Sequence, residues 1–149
     1  PFGKARIRRE GSDLTMITYG NTTHLCLKAA EMIKKETGKE VEVIDLRSLV
    51  PLDEDMVIAS VKKTNRALVV HEDKVFAGFG GEIVGLINDK AFEHLDAPVK
   101  RVGSTFTPVG FNRILEAAIL PDAQRGCWPC IGGLVCQQIA ADKSSQHAA

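Results

Sequence analysis

The segment from Val41 to Asp53, with the sequence VEVIDLRSLVPLD, constrains the fold more than any other part of the chain. It begins with a β-branched, mostly apolar run, which predicts a buried strand. Pro51 ends the extended stretch, and Asp53 lies where the N-cap of a following helix is expected. A strand, a short connection and a capped helix follow one another so closely that they indicate a βα unit of a layered α/β domain.

The same periodicity predicts that strands and helices alternate along most of the chain. A short charged strand is expected at an exposed sheet edge, and Gly38 is placed to end the first helix in the left-handed conformation. Alternation favours parallel strands joined by helical crossovers, with both sheet faces covered. The predicted strands are 5–10, 14–19, 41–46, 67–71 and 99–102, and the predicted helices are 23–37, 54–64, 81–95 and 111–118.

Length and composition indicate one domain with an aliphatic core. The chain has 149 residues, of which 44% are hydrophobic and only 5% are aromatic. The 19 basic and 19 acidic residues give a formal net charge of +0, which offers no electrostatic case for binding nucleic acid or an anionic membrane. No apolar run approaches the length of a membrane span, and the charged first residues are not followed by the apolar core of a secretory signal. We therefore expect neither a nucleic-acid nor a membrane partner.

Six segments, taken in order, carry a likeness to a known family. They are PFGKARIRREGSDLTMITYG, VEVIDLRSLVPLD, VKKTNRALVVHED, GFGGEI, LDAPVKRV and TPVGFNRILEAAILPD. Together they resemble the C-terminal domain of the transketolase family, and most closely the beta subunit of the thiamine-dependent 2-oxo acid dehydrogenases. His71 followed by Glu72 is most similar to the branched-chain (2-oxoisovalerate) type, with the pyruvate type close to it. The resemblance implies a three-layer α/β/α sandwich with a five-stranded, mostly parallel sheet whose first edge strand is antiparallel.

The resemblance also implies a role in assembly. Family members carry a further N-terminal domain, which holds thiamine diphosphate and magnesium together with the alpha subunit. The whole enzyme oxidatively decarboxylates a 2-oxo acid and transfers the acyl group to lipoamide. The C-terminal domain pairs with its copy in another beta subunit as a homodimer. We therefore expect no catalytic, cofactor-binding or metal-binding residue in this chain, and a location in the cytoplasm or, in a eukaryote, the mitochondrial matrix.

The resemblance ends near residue 122, which divides the chain into a transketolase C-terminal-like domain, 1–122, and a divergent tail, 123–149. Relatives continue with an amphipathic helix that contributes to docking of the acyltransferase core. Here Gly126, Pro129 and Gly132 interrupt any such helix, so this docking role is not assigned. Disorder is one interpretation of the tail, and a fused, shifted or recombined end is another.

Cysteines are concentrated in the tail. Cys127 and Cys130 have the spacing of a thiol–disulfide exchange motif, and Cys136 and His147 complete a set of four zinc ligands. A weak helix start and the lack of a second close-spaced pair favour incidental cysteines instead. Because Cys26 lies apart in a predicted helix, the pattern does not indicate a disulfide-built secreted scaffold, and we expect a reducing, intracellular environment.

A glycine-rich loop precedes the third predicted helix. Gly78, Gly80 and Gly81 would let backbone N–H groups approach an anion, which would make the chain a free-standing α/β module that binds a phosphate or nucleotide. The loop lacks the third glycine of the dinucleotide fingerprint and the lysine of a phosphate-binding loop. The favoured interpretation is a tight turn with close helix–sheet packing.

His71 and Glu72 follow a buried strand, at the edge where open α/β sheets place their sites. Two interpretations of His71 stay open. In the first, the imidazole lies at an interface or an active-site rim and reaches a neighbouring domain. In the second, hydrogen bonds to loop backbone anchor it.

Four more residues are interface candidates. Asp45 and Arg47 would point to the same side of an extended chain, where each either finds a partner across a subunit boundary or forms a loop-fixing salt bridge. The salt bridge is the simpler interpretation. Phe106 and Pro108 belong to an apolar loop that, by the resemblance, lies near the subunit contact.

Overall fold

A computed structural model describes residues 1–108, 110–112, 114, 116 and 119–120 of the protein. The predicted alternation of strands and helices is confirmed in these residues. The elements are β1 (Arg6–Arg9), β2 (Leu14–Thr18), α1 (Thr22–Thr37), β3 (Val41–Asp45), α2 (Glu54–Thr64), β4 (Ala67–Lys74), α3 (Gly80–Ala91), a 3₁₀ turn (Phe92–His94) and β5 (Lys100–Ser104).

The five strands form one sheet in the order β1-β3-β2-β4-β5. The edge strand β1 pairs with β3 in antiparallel orientation, and the other three pairings are parallel. The predicted mostly parallel sheet with an antiparallel first edge strand is therefore confirmed. In the centre of the sheet, β2 runs between β3 and β4, with Thr18 opposite both Asp45 and Val70.

Helices cover both faces of the sheet. Along β2, Met16 belongs to the core shared with Ile33 of α1, whereas Ile17 belongs to the core shared with Val61 of α2 and Ile87 of α3. All five residues of β2 are buried, which explains why the strand carries no charged residue and does not alternate between apolar and exposed polar side chains. The arrangement is the expected three-layer α/β/α sandwich.

Local signals set several element ends. Gly38 ends α1 with φ 73°, as predicted, and its N–H donates to the Lys34 carbonyl oxygen at 2.9 Å. Asn65 ends α2 in the same way with φ 59°, a cap that the sequence analysis missed although asparagine tolerates this conformation.

Other boundaries differ from the prediction. β4 continues to Lys74 instead of ending at His71, because the 72–74 stretch returns to pairing with β5 after an irregularity. The third helix ends at Ala91 and is followed by the 3₁₀ turn. The predicted helix over 111–118 lies only partly within the described residues, where the Glu116 N–H donates to the Asn112 carbonyl oxygen at 2.8 Å.

Asp53 lies at the N-cap position of α2, but its side chain does not cap the helix. The buried carboxylate instead accepts hydrogen bonds from the Ala5 N–H at 3.0 Å and from the Lys4 ammonium at 3.2 Å. The predicted N-cap position is confirmed, and the carboxylate binds other donors because the segment leading into β1 passes over the start of α2 and supplies them. Asp53 ties the edge strand to the helical layer.

Replacing Asp53 with asparagine is expected to lower the free energy of unfolding at neutral pH by about 1–2 kcal/mol, because it removes charge-assisted hydrogen bonds. Burial alone would raise the pKa of Asp53, but the hydrogen bonds from Ala5 and Lys4 outweigh it and hold the pKa below 3.8. The stabilisation is therefore complete above about pH 4 and is lost as the pH falls through the folded-state pKa.

Urea unfolding across a pH series tests this expectation. The stabilities of the wild type and Asp53→Asn should converge in the acidic range. Asp55→Asn, on the exposed side of the same helix, is the matched control and should change little. A constant stability gap at every pH would contradict the role of the charge.

Candidate functional site

The carboxyl ends of β2 and β4 mark the point where the chain changes direction across the sheet. β2 connects through α1 to β3 on one side, and β4 lies on its other side. Open α/β sheets place their sites in the crevice at such a point. Because Thr18 is opposite Val70, the next residues, Tyr19 and His71, meet at this edge with parallel rings whose centroids are 6.2 Å apart.

The His71 imidazole is fully buried and is surrounded by glycines. A Cβ atom on Gly80 would lie 2.2 Å from Nε2, and one on Gly103 would lie 2.9 Å from Cε1. A Cβ atom on Gly78 would lie 3.1 Å from Cε1 and only 2.0 Å from the Lys74 carbonyl oxygen. These glycines therefore allow backbone to pack directly against the ring, as the favoured interpretation of the loop requires.

By strict hydrogen-bond geometry neither ring nitrogen of His71 has a partner among the described residues, although the Asp73 backbone is close enough to act on the ring as a hydrogen-bonding group. Burial lowers the pKa of His71 below its usual value of 6.5, the Asp73 carboxylate and the hydrogen bond with the Asp73 backbone partly oppose this, and the Arg101 guanidinium adds to it. The imidazole is thus neutral near pH 7. The ring lies buried within the domain, and both interpretations of this residue stay predictions.

The anion-binding hypothesis for the glycine loop depends on free N–H groups at the start of α3. The Gly81 N–H donates to the Gly78 carbonyl oxygen at 2.9 Å, and the Glu82 N–H donates to the Phe79 carbonyl oxygen at 3.0 Å. Because these two donors have partners within the loop, the geometry favours packing over phosphate or nucleotide binding.

An exposed aromatic surface extends from the same edge of the sheet. Phe76 and Phe106 are 67% and 68% exposed, and their rings pack edge to face with centroids 4.8 Å apart. The Lys74 ammonium lies 5.4 Å from the centroid of the Phe106 ring, and Pro108 is exposed beside it in the chain. We call Lys74, Phe76, Phe106 and Pro108 the aromatic edge surface. The structure thus adds two residues, Lys74 and Phe76, to the predicted Phe106 and Pro108.

Phe76, Tyr19 and Phe79 were missed in the sequence analysis. Phe76 carried one usable signal, its position as a large apolar residue between a charged segment and a glycine loop. Tyr19 and Phe79 carried none, since their importance comes from an edge-to-face contact at 6.5 Å that only the folded chain creates.

Asp45 and Arg47 do not form the predicted extended pair. Arg47 has φ 60°, so its side chain leaves the chain in a direction that an extended segment would not give. The Asp45 carboxylate accepts a hydrogen bond from the Arg47 backbone N–H at 3.2 Å, and the Arg47 side chain is exposed. The loop is therefore fixed through the Arg47 backbone, while Glu72 is exposed near the end of β4, with β2 between β3 and β4.

The cysteine and histidine candidates of the tail lie outside the described residues. Within the described part of the chain, no group of three or more His, Cys, Asp or Glu side chains is placed to hold a metal ion. Among the helices of that part, none is both long enough and apolar enough to cross a lipid bilayer.

Comparison with known proteins identifies the family. Residues 3–125 match the family described as transketolase, C-terminal domain. The chain belongs to this family. It is 44% identical over 121 residues to the beta subunit of the acetoin:2,6-dichlorophenolindophenol oxidoreductase of Bacillus subtilis. It is 48% identical over 121 residues to the beta subunit of the pyruvate dehydrogenase E1 component of the same organism. It is 45% identical over 125 residues to the beta subunit of the 2-oxoisovalerate dehydrogenase of Pseudomonas aeruginosa.

These alignments cover 81–84% of the present chain but only 34–37% of the three relatives. The chain therefore spans about a third of the length of the curated relatives it matches. The resemblance to beta subunits of 2-oxo acid dehydrogenases is confirmed. The identities of 48% and 45% to the pyruvate and 2-oxoisovalerate proteins do not separate the two types.

Solved structures support the same fold. A split-gene transketolase in an inactive beta4 tetramer aligns with a TM-score of 0.73 at 24% identity, covering 93% of this chain and 42% of that one. A 2-oxoglutarate:ferredoxin oxidoreductase from Magnetococcus marinus aligns with a TM-score of 0.58 at 15% identity, covering 93% of this chain and 20% of that one. At these identities the two alignments support the fold of this chain and nothing about its function.

Proposed function

We propose that this chain is the C-terminal assembly domain of the beta subunit of a thiamine-dependent 2-oxo acid dehydrogenase. The complete enzyme would oxidatively decarboxylate a 2-oxo acid and transfer the acyl group to lipoamide. The identity of 44–48% to beta subunits of such enzymes carries this proposal. Residues 1–122 would form the working domain, and 123–149 a divergent tail.

Thiamine diphosphate and magnesium belong, in this proposal, to an N-terminal domain of the beta subunit and to the alpha subunit. Among the described residues, no group of three or more His, Cys, Asp or Glu side chains is placed to hold a metal ion, so none of them is proposed as a ligand of the cofactor's magnesium. We therefore assign no catalytic step to this chain. The complete enzyme would work in the cytoplasm or, in a eukaryote, in the mitochondrial matrix, as two relatives named as mitochondrial do.

Subunit contact is the role that the aromatic edge surface supports. Two exposed phenylalanines packed against each other and against a lysine offer apolar area and a fixed shape, which is how anchor residues of interfaces are built. Asp45 and Arg47 lie at the carboxyl end of β3 and Glu72 lies near that of β4, with β2 between the two strands, and they would supply polar contacts around it. The partner we assign to this surface is a second copy of the same domain.

Self-association of the chain tests this role. Sedimentation equilibrium should show a reversible dimer. Replacing both Phe76 and Phe106 with serine should raise the dissociation constant of the dimer by about tenfold or more, since hot-spot aromatics each contribute over about 1 kcal/mol.

Phe92→Ser is the matched control. Phe92 is 69% exposed, like the aromatic pair, but it lies in the 3₁₀ turn at the carboxyl end of α3, whereas the aromatic edge surface lies beside the start of that helix. A wild-type chain that stays monomeric at its highest attainable concentration, or a dimer weakened equally by Phe92→Ser, would contradict the proposed contact.

A further inference from the structure

The geometry points to a proton-sensitive latch formed by residues 72–79: protonation of His71 releases this segment from β5 and disperses the aromatic edge surface. The inference concerns the conformation of one chain, so it does not depend on the self-association proposed above. It rests on a buried imidazole whose charged form would lack an acceptor for its second N–H, on the glycines that surround it and on the irregular pairing of the segment that covers it.

The site accepts a neutral imidazole but not a charged one. Protonation gives the ring two N–H donors, and the Asp73 backbone, the one hydrogen-bonding group that acts on the ring among the described residues, can serve at most one of them. Gly78, Gly80 and Gly103 bring backbone against the ring, so little room remains for water beside it. A buried charge without hydrogen bonds is strongly unfavourable, so a proton can be bound only if the ring gains access to solvent.

The groups around the ring do not compensate for this charge. From β2, Tyr19 presents the face of its ring, and burial raises the pKa of its hydroxyl, so it stays neutral. On β4 itself, the Asp73 carboxylate and a hydrogen bond with the Asp73 backbone favour the protonated form, whereas Arg101 of β5 opposes it. The start of α3 contributes Gly80, which has no side chain. The favourable effect of the Asp73 carboxylate on the protonated ring is thus opposed by the Arg101 guanidinium and by complete burial.

The segment after His71, residues 72–79, is the part of the chain that would move away from β5 in this proposal. Pairing between β4 and β5 is irregular between Val70 and Lys74, so the segment is separated from the regular ladder of the core. Val75 donates its N–H to the Ser104 carbonyl oxygen at 3.1 Å, and the Ser104 hydroxyl donates to the Glu72 carbonyl oxygen at 2.9 Å.

Two more features describe how the segment is held. The Arg101 guanidinium donates to the Val75 carbonyl oxygen at 3.0 Å, which makes a third tie to β5. Ala77 has φ 59°, a left-handed conformation that costs a residue with a side chain about 1 kcal/mol or more. Lifting the segment would relieve this conformation, expose the imidazole and separate Phe76 from Phe106.

The pH range follows from linkage. In the closed segment His71 has a pKa below 6.5, the value expected for a solvated ring. As the pH falls below 6.5, His71 binds a proton when the 72–79 segment is released (the open form) but not when the segment covers the ring (the closed form). The closed form therefore loses stability relative to the open form. Above it, both forms are neutral at this position and the latch stays closed.

Amide hydrogen exchange tests the latch in the intact chain. Between about pH 7.5 and about pH 5, the protection factor of the Val75 amide, corrected for intrinsic exchange, should fall by about tenfold or more, while amides of α1 keep theirs. His71→Gln, which cannot take up the proton, should abolish the pH dependence. His24→Gln, at an exposed histidine of α1, is the matched control and should behave as the wild type.

Nuclear magnetic resonance of the wild type provides a second test that needs no variant. The His71 ring and the amides of 72–79 should titrate with the same midpoint, below the usual histidine value. A pH-independent Val75 protection factor would overturn the inference. So would an equal loss of protection in α1, which would mean global unfolding, or a His71→Gln chain with unchanged pH dependence.

Discussion

Replacing Gly80 with alanine is expected to lower the free energy of unfolding by about 3 kcal/mol, the upper range for overpacking a buried site. The new methyl group would lie 2.2 Å from Nε2 and 2.5 Å from Cδ2 of the His71 ring. Neither partner can easily move, because Gly80 begins α3 and the ring is fully buried. Urea unfolding with an unchanged m-value would measure the loss as a lower midpoint.

The same helix supplies a control of opposite sign. Gly85 is exposed in the middle of α3, and a Cβ atom there meets no atom within 4 Å. Gly85→Ala should therefore stabilise the protein by about 0.5–1 kcal/mol through helix propensity alone.

A double-mutant cycle links the loss to the imidazole. Combining Gly80→Ala with His71→Ala should cost clearly less than the sum of the single changes, because removal of the ring relieves the clash. Additive effects, or a Gly80→Ala protein as stable as the wild type, would show that the glycine is not needed for packing against His71.

Replacing Glu42 with alanine is expected to cost about 3 kcal/mol, because it removes a buried charge on which several donors converge. Glu42 lies within β3 and is completely buried. Its carboxylate accepts hydrogen bonds from the Ser60 hydroxyl and the Lys63 ammonium, and the Gly11 N–H approaches it at 3.4 Å. The hydrogen bond that Lys63 donates to Glu42 is the largest cause that raises the pKa of Lys63, and with the other acidic contacts it outweighs the lowering effect of burial.

The cost stays near the lower limit for a broken buried ion pair because Lys63 is 42% exposed and can return to water. Ser60 is less free to adapt, since its hydroxyl is also 2.9 Å from that of Thr15. Urea unfolding of Glu42→Ala should show the full loss, and Glu42→Gln should show how much of it comes from charge. Glu36→Ala, exposed on α1, should change little. If Glu42→Ala were no worse than Glu36→Ala, the network would not contribute to stability.

Short-range patterns were sufficient for most of the fold. The alternation of strands and helices, the antiparallel first strand implied by the resemblance, and the Gly38 cap are all present in the structure. The alternation and the cap depend on residues close together along the chain, such as apolar spacing in a helix or a glycine at a helix end, whereas the antiparallel strand came from the resemblance alone. The predicted boundaries were wrong where pairing with another strand determines the end of an element, as for β4, which continues beyond His71.

The candidate site was harder to predict from the amino-acid sequence than the fold was. His71 and the glycine loop were both singled out, but nothing in their spacing indicated that Gly80 packs on the imidazole. Gly103, which lies beyond α3 in the chain, reaches the same ring only because β5 is next to β4 in the sheet.

Apolar periodicity and turn residues thus settled which elements this chain forms and in what order, since those preferences act within a few residues of each other. Strand order settled which side chains meet. It brought Asp53 to Ala5, Ser60 and Lys63 to Glu42, and the start of α3 to the imidazole ring. Such contacts join residues far apart in the chain through hydrogen bonds and van der Waals packing, and these forces act only after the crossovers have placed the strands side by side.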